Sequence, residues 1–182
     1  MELPSSMRWM ARTAPVGLPG APTASSRGAK CSTDGLQQDL WQALLTVVIA
    51  LPAALDRQLQ RDAGISNFEY GVLAQLSMAD ETTMRLSDLA RVCDSTQPRL
   101  SKVMDRFEAR DWVARRPDPG DGRYTLAALT GAGRQKLVES APEHVAQVKR
   151  LVFDPLSAAQ RRHLEAALTR IAATVRRELE GG

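Results

Sequence analysis

Apolar positions along the chain fall into helical spacing in separate blocks, with polar or glycine-rich breaks between them. From Leu36 to Arg61, Leu40, Leu44, Val47, Leu51 and Leu55 recur three and four apart, which predicts a long helix. Pro52 lies inside that stretch. The stripe continues on both sides of it, so one kinked helix is expected and not two. Gly64 is placed to end the helix. Ser66 and Glu69 have the spacing of a capping box, which opens a second helix from about Asn67 to Ser77. Residues Met78 to Arg85 are polar and read as loop.

Leu86, Leu89, Ala90 and Val92 mark a short third helix. A fourth should follow after a tight turn, capped by Asp94 or Ser95 and running to about Asp111. Pro98 in its first turn costs little, because the backbone donor it removes has no partner there. Leu100, Val103, Met104 and Phe107 form its apolar stripe. Trp112 to Arg116 and Tyr124 to Leu129 read as two strands, joined by a loop, Pro117 to Arg123, rich in glycine, proline and aspartate. Thr130 then starts a helix to about Val152, with a possible interruption at Pro142. Gly131 and Gly133 at its start suggest a tight strand-to-helix corner. Asp154-Pro155 breaks it, and Ser157 with Gln160 makes a second capping box for a last helix to about Glu180.

The predicted fold is therefore mostly α with a small β-hairpin: a winged helix-turn-helix flanked by N- and C-terminal helices. The expected divisions are a disordered leader at 1–34, an N-terminal helix at 35–62, the winged region at 63–130 and C-terminal helices at 131–182. The leader reading rests on its Pro, Gly, Ala, Ser and Thr content, which offers too little apolar surface to offset the entropy of ordering.

Composition narrows the classes. The 182 residues are 43% hydrophobic but only 4% aromatic, so the core must be built mainly from aliphatic side chains. Net charge is +3 and the sequence pI is about 9.2, which is compatible with nucleic acid without requiring it. The stretch Arg85 to Arg123 holds nine basic and seven acidic residues. Two cysteines far apart, Cys31 and Cys93, make neither a metal spacing nor a disulfide framework, and point to a reducing, cytoplasmic setting. The best apolar run, Ala43 to Leu55, contains Pro52 and falls short of a membrane span, so no membrane partner is expected.

No constellation for catalysis stands out. His144 and His163 lie in polar helical stretches without ligands at metal spacing, and neither a nucleophile elbow nor a phosphate-binding glycine loop is present. No enzyme, cofactor or metal is expected. The fourth helix is different. Its stripe lies on one side of the wheel, and Arg99, Lys102 and Arg106 lie on the other, behind Ser95, Thr96 and Gln97 in the first turn. Short polar groups suit base edges and cations suit phosphates. A solvated charged face would give the same wheel. The hairpin that follows favours nucleic acid: Arg115 and Arg116 on its first strand and Arg123 past its tip can reach a minor groove. Asp118 and Asp121 would repel phosphate if unpaired, so their expected role is to hold arginines or cap the turn.

The order of helix, turn, helix, wing and exit in LSDLARVCDSTQPRLSKVMDRFEARDWVARRPDPGDGRYTLAALTGAGRQKL resembles the MarR family of transcriptional regulators. The resemblance spans Leu36 to Glu180, and DPGDGR followed by Leu129, Thr130 and Gly133 is similar to the family's wing and its exit. It implies a homodimer of intertwined terminal helices, with the fourth helix in a major groove and the wing in a minor groove. It also implies a palindromic operator on double-stranded DNA, repression, and release by a small-molecule effector of unknown identity. By position, Ser95, Gln97, Arg99 and Lys102 match the reading end of the helix, and Arg123 the wing-tip arginine beside Asp121. Thr96, Arg106 and Arg116 complete the candidate DNA-binding set. Asp94 and Pro98 depart from the family's commonest wording.

The terminal helices carry the candidate dimer seam: Leu40 and Leu44 in the first, Leu164, Leu168, Ile171 and Val175 in the last. Intramolecular packing of first against last is the alternative. Two other functions stay open: a winged-helix protein-interaction module, and a redox-sensing regulator using a cysteine.

Overall fold

The computed structural model describes residues 33–181. Most of the leader, with Cys31, lies outside the described residues. The chain divides into one compact unit ending at Val145 and a second beginning at Ala146.

The first unit opens with helix α1 (Thr33–Ala63), which runs through Pro52 without a break. Gly64 adopts a left-handed φ of 65°, and its N–H returns to the Gln60 carbonyl at 3.2 Å, closing the helix where glycine was expected to. Helix α2 (Asn67–Met78) begins with the predicted capping box: Ser66 Oγ accepts from the Glu69 N–H, and Glu69 Oε2 accepts from the Ser66 N–H at 2.8 Å. The reading of 78–85 as loop is corrected. A 3₁₀ turn (Asp80–Thr82) leads into a third strand, β1 (Thr83–Arg85). Three residues are too few to show alternation, and the strand exists because a distant partner supplies its hydrogen bonds.

Helices α3 (Leu86–Val92) and α4 (Gln97–Ala109) form the helix-turn-helix. The expected cap is corrected too. α4 starts later, with Thr96 at the cap position and no side-chain cap bond, because Asp94 turns left-handed (φ 45°) to close α3. Leu100, Val103, Met104 and Phe107 are all buried, as their spacing required. Strands β2 (Val113–Pro117) and β3 (Thr125–Leu129) pair antiparallel, and β1 pairs with the other edge of β3, Thr83 opposite Ala128 and Arg85 opposite Leu126. The sheet order is β1-β3-β2.

Helix α5 (Gly131–Val148) runs on through Pro142. In the second unit it passes into a π-helical turn, Lys149–Phe153, before helix α6 (Ala158–Glu180). The Ser157–Gln160 capping box forms as predicted.

Two readings change with packing. His144 is not on a polar surface but 4% exposed, its ring 4.4 Å from Tyr70 and its Nδ1 3.0 Å from Gln58 Oε1. Gln58 uses its amide nitrogen on Asp62, so its oxygen accepts and His144 Nδ1 donates. Second, α1 extends well beyond the run from Ala43 to Leu55: Gly35–Ala63 is long and apolar enough to cross a membrane by length and composition alone.

Burial pushes the His144 imidazole down to about 4 from 6.5. The folded value is depressed, so between pH 6.5 and 4 the unfolded chain binds the extra proton. Stability is then full above pH 6.5 and falls as pH drops through that window, by up to about 3 kcal/mol. Urea midpoints measured from pH 7 to 4.5 should fall for the wild type and stay nearly flat for His144→Phe. Parallel slopes for the two proteins would remove His144 as the cause.

Candidate nucleic-acid interface

Helix α4 presents its polar side outward because its apolar side closes the core. Thr96, Gln97, Arg99 and Lys102 are exposed along this face, and Ser95 is half-buried with its hydroxyl donating to the Thr96 carbonyl at 3.3 Å. Two of the arginines are held from outside the helix. Arg99 places its guanidinium over the Phe68 ring at 4.1 Å. Arg106 gives two hydrogen bonds to Glu69 Oε1, at 2.9 and 3.0 Å, and a third to the Lys102 carbonyl. Burial works against the Glu69 charge, but the Ser66 N–H and Arg106 outweigh it and hold the carboxyl below its ordinary range.

The wing is organised by carboxylates. Asp121 takes Arg123 in a two-pronged pair, Nε to Oδ1 at 2.9 Å and Nη2 to Oδ2 at 2.6 Å, and also accepts the Arg123 N–H. The Asp121 side chain is 27% exposed and that of Arg123 85%, so the acid is the inner partner and the cation the outer one. Arg123 lowers the Asp121 pKa and Asp121 raises that of Arg123, which keeps both charged. At the wing root Asp118 accepts from the Gly120 N–H at 2.8 Å and from Arg85 Nε at 2.6 Å. Arg85 also lies over the Tyr124 ring, 4.5 Å from its centre. Arg115 bridges β2 back to α4 through Glu108 and Asp105. Arg116 is exposed and makes no ion pair among the described residues.

A helix with an open polar face therefore stands beside a hairpin that carries an exposed guanidinium, paired with its own carboxylate. A MarR family model matches residues 63–123, which is α2 through the wing. The chain is 34% identical to Sco3205 of Streptomyces coelicolor, a MarR family transcriptional regulator solved in complex with DNA. That match covers 80% of this chain and 94% of Sco3205, with a TM-score of 0.72. This chain belongs to the MarR family. It is similar also to YdgJ of Bacillus subtilis (strain 168), an uncharacterized HTH-type transcriptional regulator, at 32% identity over 108 residues. That alignment covers 59% of this chain and spans 64% of the length of YdgJ. BpsR of Bordetella bronchiseptica, whose DNA binding is regulated by 6-hydroxynicotinic acid, is 25% identical with a TM-score of 0.61, over 74% of this chain and 98% of BpsR.

MarR family proteins are DNA-binding transcription regulators and not enzymes. In this member, every α4 and wing residue selected from sequence lies in the matched winged region or on its strands. Three partners were missed: Phe68, Glu69 and Arg85; Asp118, expected to hold an arginine or cap the turn, does both. Glu69 was legible as a helix cap, but no local pattern indicated that its second oxygen would meet an arginine 37 residues away. Among the proposed seam residues, Leu40, Leu164, Leu168, Ile171 and Val175 are exposed in the single chain, and Leu44 is half-buried. Cys93 is buried, which pushes its thiol up to about 11. That is far from the thiolate a redox sensor needs.

Proposed function

We propose that this MarR-family protein is a cytoplasmic homodimeric repressor that reads a palindromic operator and is released by a small-molecule effector. In each protomer Ser95, Thr96, Gln97, Arg99 and Lys102 face base edges and phosphates in a major groove. Arg116 and Arg123 reach the adjacent minor groove, with Asp121 aiming Arg123. Arg106, engaged by Glu69, serves the interface by holding α4 in place.

The observation that carries this reading is the exposed Thr96–Lys102 face beside a wing whose arginine points outward from its own carboxylate. The exposed apolar rows on residues 35–62 and 131–182 support a dimer, since isolated chains seldom leave so much aliphatic surface uncovered. They also give α1 an occupant other than lipid. The ligand-regulated relative supports an effector of small-molecule size.

Selection of bound fragments from a random DNA pool tests the reading. A two-fold site with half-sites about one helical turn apart is expected; recovery of sequences no different from the input pool would defeat it. Arg123→Ala should weaken binding to the selected site by roughly tenfold, the scale of one charge-assisted contact, without changing the dimer seen by light scattering. Unchanged affinity would argue against wing insertion.

A further inference from the structure

Three contacts radiate from the first turn of α2. The Asn67 N–H donates to Asp56 Oδ1 on α1 at 2.8 Å. Glu69 takes the Arg106 fork, and Phe68 lies under the Arg99 guanidinium at 4.1 Å. Phe68 is also partly buried and packed against the core, which holds the ring in place. The outward-facing arginines of the recognition helix are thus oriented by a neighbouring helix, which is itself tied to α1.

This inference rests on the DNA reading above and deepens it. We propose that Phe68 is a specificity-determining positioning residue: it holds Arg99 as a preset planar fork for a guanine edge. An arginine recognises guanine by donating two parallel hydrogen bonds to O6 and N7, a geometry that fails if the guanidinium rotates out of plane. A free arginine on an exposed helix must lose many rotamers to reach that geometry, and a guanidinium already stacked on an aromatic face has lost most of them. Phe68 need not touch DNA to act. Its effect should appear in the preference for operator over random sequence, and not in the sequence-independent attraction to phosphate. Glu69, through Arg106, sets the rotation of the same helix, so that the fork of Arg99 faces the groove.

The test uses the full chain, the selected operator and a scrambled duplex of equal length. Phe68→Leu keeps apolar bulk behind the turn but removes the π face. It should lower the operator-to-scrambled affinity ratio by about three- to tenfold and leave affinity for the scrambled duplex unchanged. Phe68→Trp should restore the ratio. In an Arg99→Ala background Phe68→Leu should have no further effect, because the group it positions is gone. Thermal midpoints of all variants check that the winged unit is intact. If Phe68→Leu lowers both affinities alike, or its full loss persists in Arg99→Ala, Phe68 is only a packing residue and the inference fails alone. A wild-type chain without preference for any duplex overturns the DNA reading and this inference together.

Discussion

Gly133→Ala is expected to destabilise the winged unit by about 3 kcal/mol or more. A Cβ built at Gly133 would stand 2.1 Å from the Trp112 carbonyl oxygen, 2.9 Å from its carbon and 2.7 Å from Leu129 Cδ1. The carbonyl has little freedom to swing away, because it accepts the Thr130 N–H at 3.0 Å. Thr130 Oγ1 tightens the same corner, accepting from the Gly133 N–H at 3.0 Å and donating to the Asp111 carbonyl at 2.5 Å. The strand-to-helix corner read from two glycines is therefore close-packed at one of them. Gly131 has nothing within 4 Å of its virtual Cβ. Gly131→Ala should leave stability unchanged or slightly raised. Thermal unfolding of both variants checks the contrast. A fall of roughly 6–12 °C is expected for Gly133→Ala, and a midpoint within a degree of wild type would show that the corner relaxes freely.

DNA affinity should fall by on the order of 10²–10³-fold between 50 and 200 mM salt. Lys102 and Arg116, with Arg123 beside its own Asp121, are the cations assigned to phosphate in each half of the proposed dimer, and Arg99 is assigned to a base. Six fully effective phosphate contacts would give a loss at the upper end of that range. Arg123 brings Asp121 with it, paired at 2.6 Å, so its net contribution to counterion release is smaller and the slope should be shallower. Fluorescence anisotropy with the selected operator measures this. Affinity independent of salt would move the weight to the protein-interaction reading, which the near balance of nine basic and seven acidic residues in Arg85–Arg123 kept open.

Helix content and helix ends were readable wherever the signal is local. The Ser66–Glu69 and Ser157–Gln160 boxes, Gly64 after α1, and the buried stripe of α4 all depend on residues within a few positions of each other. The start of α4 was misplaced because Asp94 and Ser95 are good capping residues by type. The demand of α3 for a left-handed closing residue took Asp94 out of that role. β1 escaped notice because its three residues are a strand only through β3, more than forty positions away. His144 looked polar among its neighbours, and only the approach of Gln58 and Tyr70 reveals it as a buried, hydrogen-bonded imidazole.

Local pattern alone set out the order of the six helices and the β2–β3 hairpin, the buried side of α4, and the stretch that resembles the winged region of the MarR family. These follow from periodicity, caps and turn chemistry, which act over a few residues. Only the tertiary structure decided which charges are free. Arg106 is engaged by Glu69, Arg85 by Asp118 and Arg115 by Glu108, while Arg99 rests on Phe68. Ion pairs and ring contacts need two groups within a few ångströms; Arg115 and Glu108 meet across the turn from α4 to β2, seven positions apart, and for the other pairs, more than thirty positions apart, that distance is set by the packing of the whole unit.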